Sequence, residues 1–170
     1  MAKFNLSFQD HSGGAHMSAS KEGSDELTLN DILEVLRPAA MRLKEIYQEA
    51  IRSTFQQRTG SLAESIDFED NTIGTGYASF FVKPFGSHKG GMYQRKSRAG
   101  DSSARYAKHN RKTSKKKLKN EELAYLLEYG TPRISPGTHW MENANESAEE
   151  EIQQIIEDGY DALLKKKGLI

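Results

Sequence analysis

Glu128 stands among Tyr125, Leu126, Leu127 and Tyr129. A carboxylate in apolar company is either paired or functional, because an unpaired charge removed from water is costly. Catalytic use would need a second acid, a histidine or a metal ligand close by, and the neighbouring sequence supplies none, so a buried or interfacial salt bridge is the expectation. The histidines are His11, His16, His88, His109 and His139, and no two share the i, i+4 spacing that places two imidazoles on one metal. His88 and His109 also stand among cations. No Gly-x-Ser-x-Gly elbow is present. Gly86-Ser87-His88-Lys89-Gly90-Gly91 lacks the lysine and hydroxyl that complete a phosphate loop. Gly74-Thr75-Gly76 leads into a strand pattern instead of a helix terminus. With no cysteine, thiolate metal sites, disulfides and cysteine nucleophiles are excluded by inventory. No catalytic residue, metal or cofactor is expected, and the chain reads as a non-enzyme.

The strongest chemical signal is electrostatic. Between His88 and Lys119 lie Lys89, Arg95, Lys96, Arg98, Arg105, Lys108, Arg111, Lys112, Lys115, Lys116, Lys117 and Lys119, against the single acid Asp101. The segment carries +11, and because the chain is neutral overall the remainder carries −11. Its sizeable apolar side chains are Met92, Tyr93, Tyr106 and Leu118, too few to offset the entropy of ordering that length, so a long mobile loop over about 87–119 is expected. Three uses are open to it. It can be a solvated spacer, it can contact nucleic-acid phosphates through cations interleaved with tyrosines, or it can order against an acidic protein surface.

The elements around this loop follow from periodicity. Lys3 to Phe8 alternates apolar and polar residues as a half-buried strand does, and the Gly-, Ser- and Ala-rich stretch from Ser12 to Ser24 reads as a linker. From Thr28 the period becomes helical through Ile32, Leu36, Ala39, Leu43, Ile46 and Ala50, with Thr28 and Asp31 as a capping pair and an end near Arg58. Pro38 should kink this helix or start its main segment. Strand patterns follow at Ser65 to Glu69, weakly at Asn71 to Gly74, and at Tyr77 to Phe85. Asn120 with Glu121 and Glu122 opens, and Gly130 closes, a short helix, with a strand over Leu123 to Tyr129 as the alternative. A last helix from about Thr138 to Lys166 begins its apolar stripe at Trp140 and continues it through Ala144, Ala148 and Ile152, acids early and lysines late. This predicts an α+β fold, a small antiparallel sheet with a long N-terminal and a long C-terminal helix. Residues 1–27 would be strand and linker, and 28–170 a single domain. An apolar content of 36% in 170 residues suffices for a core. Apolar runs such as Phe80-Phe81-Val82 are far short of a membrane span, and no signal-peptide pattern follows Lys3, so a cytoplasmic protein is expected.

Two short patterns resemble a known family. Thr59-Gly60-Ser61-Leu62-Ala63-Glu64-Ser65-Ile66 is similar to the Thr-Gly-x-Leu-x-x-Ser-Ile signature of the minor tail and tail-completion proteins of long-tailed bacteriophages. Ala124-Tyr125-Leu126-Leu127-Glu128-Tyr129-Gly130-Thr131, followed by a proline-containing loop and an alanine-bearing helix, resembles that family's second signature, with Trp140 in the place of its anchoring aromatic and Ala144 after it. The element order matches as well, over about Thr28 to Leu164 apart from the basic loop.

The resemblance implies structural roles. Thr59 and Gly60 would terminate the first helix, Leu62 and Ile66 would anchor the turn, and Ser65 would satisfy a backbone donor. Glu128, beside Gly130 and Thr131, would accept hydrogen bonds from turn amides or pair with an arginine such as Arg133. It further implies a virion protein assembled in the host cytoplasm: a homo-oligomeric ring, expected to be a hexamer, at the head–tail junction. There it would complete the tail tube and let DNA pass, meeting the tail tube protein and a head-completion or portal-side connector. Open sheet edges pairing between neighbours would close such a ring. The alternative, from another class, is a monomeric nucleic-acid-binding accessory protein acting through residues 88–119.

Overall fold

The computed structural model describes residues 4–5, 14–20, 27–55, 60–70, 72, 77–87, 119–131 and 134–170. Among these residues the elements run in the order β1 (Phe4–Asn5), β2 (Ala15–Ser20), α1 (Leu29–Thr54), α2 (Gly60–Ser65), β3 (Ile66–Asp70), β4 (Tyr77–Pro84), α3 (Asn120–Tyr129), β5 (Gly130–Thr131), β6 (Ile134–Pro136) and α4 (Trp140–Lys167). The fold is α+β. The four-stranded antiparallel sheet has the order β1-β2-β4-β3, and β5 with β6 forms a separate two-stranded ribbon.

α1 covers one face of the sheet because its apolar residues recur every three or four positions: Ile32, Leu36, Ala39, Leu43, Tyr47 and Ile51 are all buried, meeting Met17, Ile66, Phe80 and Val82 in one core. α4 lies antiparallel along α1. Tyr47 donates to Asn145, Arg42 clasps Glu151 at 2.6 Å, a Cβ on Gly159 would meet Val35, and Lys167 reaches Asp31 at 2.7 Å. The Lys167 ammonium, with the amide and hydroxyl of Thr28, holds the Asp31 carboxyl down at about 2. Lys44 likewise lowers Asp67, at 3.0 Å.

Several expectations need correction. The stretch read as a linker contains β2, which lies inside the sheet and pairs residue for residue with β4, Met17 against Phe80 and Ala19 against Ala78. Ala15, Met17 and Ala19 are buried, while His16 and Ser18 are only partly covered. This is strand alternation written in small residues that are poor strand formers, and the pairing overrides the propensity. The folded unit therefore starts well before residue 28. Pro38 does not start the main segment of α1; the helix runs unbroken from Leu29 to Thr54 with Pro38 inside it, on its exposed side. α1 also stops earlier than expected, at Thr54, where the Phe55 N–H bonds to the Ile51 carbonyl. Gly60 accordingly opens α2 instead of terminating α1. Ser65 closes α2 and is not the first residue of β3; its hydroxyl donates to the Leu62 carbonyl, satisfying an acceptor and not a donor. Leu62 and Ile66 are fully buried, as anticipated. Thr59, and the weak strand pattern at Asn71 to Gly74 apart from Thr72, lie outside the described residues.

Candidate functional site

α3 resolves the choice between helix and strand at Leu123 to Tyr129. Asn120 is its first helical residue, not its cap. It is buried, its side-chain amide donates to the Phe85 carbonyl at 2.6 Å and its backbone N–H to Gly86 at 3.0 Å, while the Glu122 carboxylate accepts the Lys119 N–H. With the Ser87–Lys119 bridge, these bonds close the root of the basic segment. Of the cations singled out in it, Lys119 is described and exposed; Lys89 to Lys117 lie outside the described residues.

At its other end, α3 meets the start of α4, and most of the second motif gathers there. Gly130 leaves the helix with φ +71, a conformation that favours glycine. The chain returns through Gly137, where a Cβ would lie 2.0 Å from the Glu128 carbonyl, so only glycine fits. The Thr138 and His139 amides then donate to the Leu127 and Glu128 carbonyls, both at 3.1 Å, tying up the free carbonyls of the end of α3. His139 is held left-handed (φ 50, ψ 35) directly before α4, which begins at Trp140 and not at Thr138.

Glu128 is 1% exposed, and its two carboxylate oxygens accept the N–H groups of Met141 at 2.7 Å and Glu142 at 3.1 Å. Its partners are thus helix-start amides. This replaces the salt bridge expected from its apolar neighbours, and Arg133 lies outside the described residues. The carboxylate neutralises the positive end of α4 and satisfies two of its orphan donors at once. Beside it Trp140 is buried edge-on to Tyr47, ring centres 5.6 Å apart, with its indole N–H toward the Ala124 carbonyl. Ala144 is buried on the same stripe, Tyr125 is half exposed, and Thr131 pairs with Ile134 in the ribbon.

Sequence reasoning missed His139 and Glu142. His139 Nδ1 lies 3.0 Å from a Glu142 oxygen, and Glu128, His139 and Glu142 each bring a ligand atom within 4.8 Å of the others. Both oxygens of Glu128 are already engaged by the helix-start amides, and a Glu142 oxygen by His139. Chemically the arrangement is a clamp joining two helices. A sequence signal existed only for Glu128, through its apolar neighbours. Compared with protein-family models, curated proteins and solved structures, the chain matches none.

Proposed function

We propose that this protein is a structural component of the neck of a long-tailed bacteriophage, a ring at the head–tail junction that completes the tail tube and lets DNA pass. The observation that carries the reading is where the two family-like segments fall. Each lies at a junction that fixes a helix: Leu62 and Ile66 bury the α2–β3 turn against α1, and Glu128 clamps α3 to α4. Residues in such places build the module itself, as a ring component requires. The partners are further copies of the chain, the tail tube protein and a portal-side connector, within the virion.

The edge strand β3 carries Asp67, Glu69 and Asp70, the first two paired with Lys44 and Lys83, and charged side chains on an edge discourage strand-to-strand addition. Ring closure by unlike surfaces, head to tail, fits this better than pairing of edges. Native mass spectrometry and electron microscopy of the purified chain test the reading. A closed ring, expected to be a hexamer, supports it; a monomer with salt-sensitive DNA affinity would replace it with the nucleic-acid-binding alternative.

A further inference from the structure

A band of rings and acids crosses from α3 onto the outer side of α4. Tyr125 and Tyr129, one helical turn apart, are 49% and 46% exposed with ring centres 4.7 Å apart. The His139 ring stands edge-on to Tyr129 at 6.3 Å, and its Nδ1 touches Glu142. From Glu142 the exposed acids Glu146, Glu149, Glu150 and Glu157 continue along α4, opposite the buried face of Ala144, Ala148, Ile152 and Ile156. Among the described residues, no cation lies within salt-bridge distance of Glu146, Glu149 or Glu150. The nearby basic side chains are engaged elsewhere, Arg42 with Glu151, Lys166 with Glu34 and Lys167 with Asp31. Like charges one turn apart, as at Glu142/Glu146 and Glu146/Glu150, work against the helix. Such an arrangement is relieved when a cationic partner lies along it.

We infer that this band is the docking surface for the basic segment, residues 105–119, of a second copy of the chain. Eight cations and no acid fall between Arg105 and Lys119. Guanidinium and ammonium groups stack on exposed tyrosine rings and pair with carboxylates, so rings and acids side by side suit a lysine- and arginine-rich strand of chain and repel nucleic acid. The lengths agree too. Glu142 to Glu157 spans about 22 Å of helix, which about seven extended residues cover.

The densest cations, Lys115 to Lys117, point to a second copy as the occupant, because of where they are rooted. The Ser87–Lys119 bridge holds its end at the start of α3. Lys115 to Lys117 reach at most about 13 Å from that root fully extended. The acid stripe begins about one helix length away, roughly 15 Å, so the chain's own densest cations serve at most its near end.

The inference deepens the ring reading by naming the two unlike surfaces. The test uses the full chain with two exposed charge reversals, Glu146→Lys/Glu149→Lys/Glu150→Lys and Lys115→Glu/Lys116→Glu/Lys117→Glu, their folding checked by circular dichroism. Sedimentation is followed from low salt to 1 M, where the screening length falls from ~10 Å at 0.1 M to ~3 Å. The wild type is expected to associate at low salt and dissociate at high salt. Each reversed variant alone should associate about tenfold more weakly or less, because opposed like charges are penalised at an interface. Mixing the two variants should restore association. Reversals without effect, a mixture that stays apart, or a wild type monomeric at low salt would each overturn the inference. A ring that survives both reversals leaves the neck reading standing while this one falls; salt-sensitive, mixture-restored association that never closes into a ring does the reverse.

Discussion

The first turn of α1 is closed at the surface by two residues three apart, whereas the first turn of α4 is closed by a buried carboxylate from the preceding helix. At α1 the Thr28 hydroxyl accepts the Asp31 N–H at 3.2 Å, and the Asp31 carboxylate accepts the Thr28 N–H at 2.8 Å. At α4 the cap residue is His139, whose side chain accepts from none of the helix-start amides, and Glu128 supplies both acceptors. The Thr28–Asp31 pair closes its turn within one stretch of chain, and the Lys167 ammonium of α4 joins it from outside. A distant cap also fixes where the helix sits. The difference shows how the same unsatisfied amides can serve secondary structure in one place and tertiary structure in another.

The contrast can be broken most sharply at the packing beside the distant cap. Trp140→Ala should lose ~3–5 kcal/mol of stability in urea denaturation, the usual cost of truncating a buried tryptophan. An unchanged midpoint would mean that α4 is not anchored at its start. Next in size, Glu128→Ala should cost about 3 kcal/mol, since it removes two charge-assisted bonds and strands one buried and one part-buried N–H group. Glu128→Gln, retaining one acceptor oxygen, should recover about half of that. Thr28→Ala should cost only about 1 kcal/mol, as an ordinary exposed cap does. Equal losses at Thr28 and Glu128 would erase the distinction between the two helix starts.

The smallest effect concerns pH at the local cap. The folded-state value of Asp31, about 2, lies below its ordinary 3.8. Its contribution is therefore fully present above that ordinary value and is lost as pH falls toward 2. Wild type and Asp31→Asn should differ by a constant amount in melting temperature at neutral pH, and the gap should close between about pH 4 and pH 2. A gap that persists at pH 2 would assign the effect to something other than the charge.

The sequence by itself determined the elements whose signals are local. The stripe from Ile32 to Ile51 and the Thr28–Asp31 pair mark α1, the run from Trp140 to the closing lysines marks α4, and the alternation over Tyr77 to Phe85 marks β4, because each pattern lies within a few turns of one stretch of chain. Buried Trp140 was legible for the same reason, and Leu62 and Ile66 through the family resemblance. Only the tertiary structure decided β2, whose small residues become a strand through pairing with β4, and the turn at Gly137 and His139, which exists because two helix ends meet there. It also decided the partner of Glu128. Its apolar neighbours announce that its charge must be satisfied, but a carboxylate accepts equally well from an arginine or from backbone amides. Which of them reaches it depends on how α3 and α4 pack, a long-range property that no spacing within the chain encodes.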